Sequence, residues 1–262
     1  MRTENSIPKV IHYCWFGKGQ KSNLIHKCIE SWRKYLPEYQ IKEWNEDNFN
    51  IEGNQYCAEA YMERKWAFVS DYARLWIIYN HGGIYLDTDV EVIKDIALLL
   101  ENGEGFIGFQ NNEEVNSGLG FGAKKGNKCV KKMLELYENR SFYNDDNSLD
   151  LTPCPVSNTV ALKMMGLKTG KENAKQIQCL EGIKVYPEEY FNPINLESGK
   201  KRITSNTYTI HHYTNSWGKN RTRFFKKIKS YLPQCLLEYR SDYISRRDIK
   251  IMERQVNIDE NG

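Results

Sequence analysis

No two cysteines in this chain are spaced C-x-x-C, and the seven present (Cys14, Cys28, Cys57, Cys129, Cys154, Cys179 and Cys235) are an odd number. Without a secretion signal, such a set reads as reduced thiols and argues against a disulfide framework or a zinc site. The opening MRTENSIPKV has no apolar signal core, and the longest aliphatic run, Ile96 to Leu100, is far too short to cross a bilayer. The expectation is an intracellular, soluble, cytoplasmic protein. A formal charge of +3 is too small to point to nucleic acid. Internal repeats and low-complexity segments are absent as well.

What is present suits one substantial core. At 262 residues and 40% hydrophobic content, the chain fits a single large α/β domain, or one domain and a tail. Thirteen per cent aromatics, with 17 Tyr and 6 Trp, exceeds what a routine core needs and is common in ligand clefts, though any single ring more often serves ordinary packing.

Residues 9–15 (KVIHYCW) read as a first strand, with Phe16-Gly17-Lys18-Gly19 as the loop leaving it. Ser22 suits an N-cap, and Leu24, Cys28, Trp32 and Tyr35 recur at helical spacing before Pro37. A second strand follows over 39–44. Strand, helix, strand predicts a parallel βαβ unit whose loops lie at the strands' carboxyl ends, where open α/β sheets bind ligands. Gln55 to Met62 reads as a short helix, 105–110 and 119–123 as strands, and 128–139 as an amphipathic helix with Val130, Met133, Leu134 and Tyr137 on one face. Residues 141–150 read as a polar surface loop, and Ser157 as the cap of a helix running to Met165. Strands are expected at 183–186 and 207–213, the latter ending at Asn215-Ser216-Trp217.

The rest is organised around residues 66–90, WAFVSDYARLWIIYNHGGIYLDTDV. Apolar residues fall at helical spacing from Ala67 to Tyr79, and Asp71 and Arg74, three apart, share one edge of that helix. Gly82-Gly83 supplies a left-handed stop. Ile84-Tyr85-Leu86 then suits a buried strand, ending in Asp87-Thr88-Asp89. Two acids two apart on an extended chain point the same way and converge on one hard cation, Mg²⁺ or Mn²⁺, of the kind that bridges diphosphates. A lone D-x-D is a weak signal, and from spacing alone a phosphatase or nuclease is the chief rival to nucleotide-diphosphate chemistry.

Beyond Trp217 the composition changes. Lys219, Arg221, Arg223, Lys226, Lys227 and Lys229 crowd together without an acid among them, and Phe224, Phe225, Ile228, Tyr231 and Leu232 interleave at helical spacing. Such a helix either rests peripherally on the anionic inner face of a membrane or packs its aromatic face on the domain. The division is therefore 1–218, a catalytic domain, and 219–262, a basic amphipathic helical tail.

Three ordered blocks, Ile7 to Trp15, Phe68 to Val90 and Ile210 to Trp217, resemble the glycosyltransferase family 32 pattern with its D-x-D sugar-binding region. That group includes capsule and lipopolysaccharide transferases and fungal initiating mannosyltransferases, and it is similar to the glucosyltransferase domains of clostridial toxins. The resemblance implies a GT-A fold, α/β with a mixed central sheet flanked by helices. It also implies a metal-dependent transferase moving a sugar, from UDP rather than GDP, onto a glycan or lipid-linked glycan acceptor in surface polysaccharide synthesis, with retention. By resemblance Trp15 would stack on the base, Asp71 and Arg74 would hold donor hydroxyls, and Asp87 would touch ribose, sugar and metal. Asp89 would be the direct ligand to Mn²⁺ (or Mg²⁺), with His211 the third. His212 would face the other way on a regular strand, and Ser216 and Trp217 would close over the distal phosphate. Asn116, in the loop before Leu119, would reach the donor or acceptor. Pro153-Cys154-Pro155 departs from the glycine-proline pair of many relatives, which puts acceptor handling in question. Two other readings stay open: a metal-dependent phosphate-ester hydrolase and a non-catalytic sugar- or membrane-binding module.

Overall fold

The computed structural model describes residues 7–103, 105–194, 201–214 and 234–259. The chain begins β1 (Val10–Cys14), α1 (Asn23–Tyr35), β2 (Gln40–Trp44), and β1 and β2 pair in parallel as the βαβ pattern requires. The Ser22 hydroxyl caps α1 by accepting from the Ile25 N–H. Helices α2 (Gln55–Met62) and α3 (Trp66–His81) follow, and α3 ends at Gly82, whose φ of 67° supplies the left-handed geometry a side chain would resist.

Strands β3 (Gly83–Tyr85), β4 (Val90–Val92), β5 (Gly105–Phe109), β6 (Val115–Asn116) and β7 (Phe121–Ala123) come next, then α4 (Lys128–Glu135) and α5 (Cys154–Met164). The chain continues through β8 (Gln178–Leu180), β9 (Ile183–Tyr186), β10 (Thr209–His211) and α6 (Gln234–Asp259). The main sheet runs β2-β1-β3-β7-β5-β9-β8, with β6 on β5, and β10 and β4 form a separate antiparallel pair. Because β7 is antiparallel to both β3 and β5, and β9 is parallel to β5, the strands β2, β1, β3, β5 and β9 all point one way. Their carboxyl ends share one edge.

Alternation along β1 and β3 divides the core between two faces. Ile11, Tyr13, Ile84 and Leu86 pack with Ile25, Ile29 and Trp32 of α1, whereas Cys14 and Tyr85 pack with residues of α2 and α3. This is the mixed central sheet with flanking helices expected of the GT-A layout.

Several expectations are corrected. Ser157 is no cap: Pro153 occupies that position with Pro155 in the first turn, and Ser157 is buried inside α5, accepting from Arg140 Nη1 at 2.9 Å. A proline is suited to a first turn because the N–H it lacks has no helical partner there. The 141–150 loop is anchored rather than merely superficial, with Phe142 fully buried and Tyr143 bridged to Leu149. Strand β8 was not expected, since none of its three residues is buried and they carry no strong apolar alternation. The late strand is shorter than 207–213 and pairs with β4 outside the main sheet.

Candidate active site

The loop from β1 to α1 turns at Gly17, φ 87°, where a Cβ would meet the Trp66 indole at 2.6 Å. Its N–H donates to Glu46 Oε1 at 2.7 Å. Trp15 just before it donates from Nε1 to the Gly19 carbonyl at 2.8 Å and carries the Lys21 ammonium 5.2 Å from its ring centre. The half-exposed indole thus stands at the end of β1, adjacent in the sheet to the end of β3.

Asp71 and Arg74 face the same region from α3. Arg74 Nη2 lies 3.1 Å from Asp71 Oδ1 and 3.0 Å from Asp87 Oδ1, so one nitrogen ties the helix to the end of β3. Its Nη1 donates to Cys154 Sγ at 3.4 Å, and the guanidinium sits 5.2 Å from the Tyr85 ring centre. Tyr85 Oη donates to the same Asp87 oxygen at 3.1 Å. Burial pushes both Asp71 and Asp87 above the usual carboxylate range, with the adjacent guanidinium pulling the other way. Arg74 stays charged, and one bound cation serves two acids.

The two aspartates of the D-x-D converge, though not by strand geometry. Residues 88 and 89 form a turn closed by the Val90 N–H donating to the Asp87 carbonyl at 3.0 Å, so the extended-chain reading is corrected. A tight turn brings side chains to one side as effectively as a pleat does. The third member comes from β10, which pairs His211 opposite Val90. Ligand atoms of Asp87, Asp89 and His211 all lie within 4.8 Å of one another. His211 Nε2 is 2.9 Å from Asp89 Oδ1, and the backbone N–H and hydroxyl of Thr214 donate to Asp89 Oδ2 at 2.9 and 2.8 Å. Burial opposes ionisation of Asp89, but His211 and Thr214 outweigh it and hold the carboxyl well below its ordinary range. Two carboxylates and an imidazole are a donor set suited to Mn²⁺, less so to the oxygen-preferring Mg²⁺.

His212 turns the other way, its Nε2 2.9 Å from Glu91 Oε2. Asn116 is held in a buried network, accepting from the Gly118 N–H at 2.6 Å and donating to Gln110 Oε1 at 2.8 Å. Ser216 and Trp217 lie outside the described residues.

Four contributors escaped the sequence reading. Cys154 touches Arg74; Thr214 holds Asp89; Tyr85 holds Asp87. Gly118 leaves room for the last, since a Cβ there would stand 2.6 Å from Asp87 Oδ2 and 3.1 Å from Arg74 Nη1. Thr214 was findable, being a hydroxyl three residues past His211 in the same block. The others depend on approaches between distant segments.

Comparison with known proteins bears on this site. Residues 22–106, which include Asp71, Arg74 and the D-x-D, match the family model described as the glycosyltransferase sugar-binding region containing the DXD motif. No curated protein matches the chain. Among solved structures, PaToxG glycosyltransferase is similar at 22% identity over 60% of this chain and 69% of its own, with a TM-score of 0.44. A glycosyltransferase involved in glycosylation of the major capsid of PBCV-1 is similar at 14% identity over 86% of this chain and 100% of its own, again at 0.44. Residues 22–106, which hold both acids of the D-x-D and the Asp71–Arg74 pair, are thus similar to the sugar-binding region of DXD glycosyltransferases.

Proposed function

We propose that the protein transfers a sugar from a nucleoside diphosphate, UDP rather than GDP, to a glycan or lipid-linked glycan during surface polysaccharide synthesis of the capsule or lipopolysaccharide kind. The observation that carries this reading is the convergence of Asp87, Asp89 and His211 beside the Arg74 guanidinium, at the sheet edge that ends in Trp15. Asp87, Asp89 and His211 would hold Mn²⁺. When bound, that ion supplies positive charge where the departing diphosphate gains negative charge.

The chain's own groups do the rest. Arg74, fixed by Asp71 and Asp87, is a planar donor array suited to sugar hydroxyls and phosphate oxygens. Asp71 and Asp87 accept from donor hydroxyls, Trp15 offers a face to the base, and Ser216 and Trp217 would bind the distal phosphate. Retention follows if the leaving phosphate itself takes the acceptor's proton, so that catalysis rests on positioning and charge stabilisation. The two-metal hydrolase reading lacks its second cluster: among the described residues one metal-competent group is found.

We place the domain boundary at 218/219. The basic segment 219–232, for which peripheral contact with an anionic inner membrane face is proposed, lies outside the described residues apart from its continuation in α6. No helix among the described residues is long and apolar enough to cross a membrane. A panel of nucleotide sugars assayed for Mn²⁺-dependent hydrolysis tests the central reading. Turnover of one UDP-sugar supports it, and a panel inert with and without Mn²⁺ refutes it.

A further inference from the structure

A cavity of about 660 Å³ opens on the edge of the sheet where the D-x-D lies, but farther along it. Its walls include Gln110 and Asn112, just past the end of β5, Glu188, just past the end of β9, and Asp242 of α6. Since β5 and β9 run with β1 and β3, this cavity and the Asp87 turn are neighbours on the ligand-binding side of one sheet. The volume falls within the roughly 300–1,000 Å³ typical of small-molecule sites.

Its chemistry differs from that of the D-x-D end. The cations on its walls, Lys171, Lys175, Lys201 and Arg202, are exposed, whereas Gln110 and Asn192 are buried and Glu188 and Asp242 half-buried. The amides and acids of the interior carry no positive charge to hold a diphosphate, and they match sugar hydroxyls, which both donate and accept. Asn192 is 2% exposed and donates to the Gln110 carbonyl at 2.9 Å, while its Oδ1 has no donor among the described residues. A buried acceptor without a donor costs free energy, and a ligand hydroxyl would relieve it. Burial, with Glu238 and Asp242 adding to it, pushes Glu188 up to about 8, so at neutral pH it is largely a neutral acid able to donate a hydrogen bond.

The connection to the metal-competent cluster runs through β10 and the residue after His212. Tyr213 lies in the left-handed region at φ 48°, packs edge-on to His211 at 4.0 Å between ring centres, and its buried hydroxyl has no partner among the described residues. The 188–191 turn is tied to β10 by the Tyr208 N–H donating to the Tyr190 carbonyl at 2.8 Å and Thr209 Oγ1 donating to the Phe191 carbonyl at 3.3 Å.

We propose that this cavity, between the ends of β5 and β9 and the face of α6, is the acceptor subsite, taking a neutral sugar ring through Glu188, Asn192 and Asp242. The assignment as acceptor rests on the transferase reading above; the capacity to bind a sugar does not. The test is saturation-transfer NMR on the full chain with the methyl glycosides of glucose, galactose, mannose and N-acetylglucosamine as probes. At least one glycoside should give a signal with the wild-type protein. Ser241→Trp, which fills the cavity from α6, and Glu188→Ala should each weaken that binding about tenfold or more, in samples whose thermal melts remain cooperative. Absence of signal from every glycoside, or a signal undiminished in both variants, overturns the subsite. UDP titrated into the wild-type protein with Mn²⁺ reports separately on the transferase reading, which fails if no binding is seen whatever the glycosides do.

Discussion

At the scale of single residues, the site is built by sharing. Arg74 Nη2 serves Asp71 and Asp87, so each acid is fixed by a group that also belongs to the other. Thr214 and His211 occupy both oxygens of Asp89, keeping it ionised and aimed. Asp89→Ala is expected to abolish metal-stimulated donor hydrolysis and to lower Mn²⁺ affinity by more than about 10–100-fold, the usual cost of disturbing even an outer partner of a metal site. Calorimetric titration with Mn²⁺ measures it, and wild-type affinity in that variant contradicts the role. Gly118→Ala tests the space around Asp87. Its methyl would stand 2.6 Å from Asp87 Oδ2, an oxygen whose carboxylate is pinned by Arg74 and Tyr85 and has little freedom to retreat. A stability loss of about 1–3 kcal/mol, typical of overpacking, should accompany a loss of Mn²⁺ affinity. Unchanged Mn²⁺ affinity in a folded Gly118→Ala protein would separate Asp87 from the metal.

At the scale of elements, two joints can be tested apart from the chemistry. His12 of β1 accepts from Trp44 Nε1 of β2 at Nδ1, 3.0 Å away, and donates from Nε2 to the Gly82 carbonyl at the end of α3, also at 3.0 Å. Only the neutral ring makes both bonds. Burial, with His81 and Lys42 nearby, lowers its pKa from 6.5 to about 4, against the pull of the Gly82 carbonyl. The unfolded chain therefore binds the proton first as pH falls. Stability from this joint is complete above about 6.5 and is lost as pH falls toward about 4. Chemical denaturation across that window should show the decline, and His12→Gln should flatten it; an identical slope in the variant removes His12 as the cause. The second joint is α5 against α6, where Val156 and Val160 pack with Ile249 and Met252, reinforced by the Lys163–Glu253 ion pair. Because this cluster is small, Met252→Ala should cost about 2 kcal/mol, the lower end for such truncations. A melt shifted by under a degree would mean that α6 contributes little to folding.

At the scale of the whole molecule, α6 forms a wall of the cavity as well as part of the C-terminal segment. Arg246 pairs with Glu113 at 2.7 Å and Asn112 donates to Asp242 at 3.0 Å, holding the β5–β6 turn against the helix. Removing residues 219–262 is expected to uncover Val156 and Val160 and lower the melting temperature by several degrees, visible in a thermal scan with increased binding of an apolar dye. The same truncation tests the membrane proposal: the 262-residue chain should sediment with anionic vesicles and the shortened chain should not. Equal sedimentation of the two would assign any vesicle binding to another surface.

Much of the first half of the sheet was legible in the sequence. The β1–α1–β2 unit, the Ser22 cap, the α3 period and its glycine stop are written in local spacing, because dihedral preference and side-chain period act over a few residues. The i,i+3 placement of Asp71 and Arg74 is local in the same sense. Other features needed the tertiary structure. Asp89 meets His211 only because β10 chose β4 as its partner, and no short-range pattern specifies which strand a three-residue segment will join. The turn that aims Asp87 and Asp89, the room left by Gly118 and the cavity past β5 and β9 likewise arise from approaches between segments far apart in the chain. Sequence alone determined which acids are chemically fit to hold a cation; packing decided what stands beside them, because distance between remote residues is set by the closure of the sheet and not by spacing along the chain.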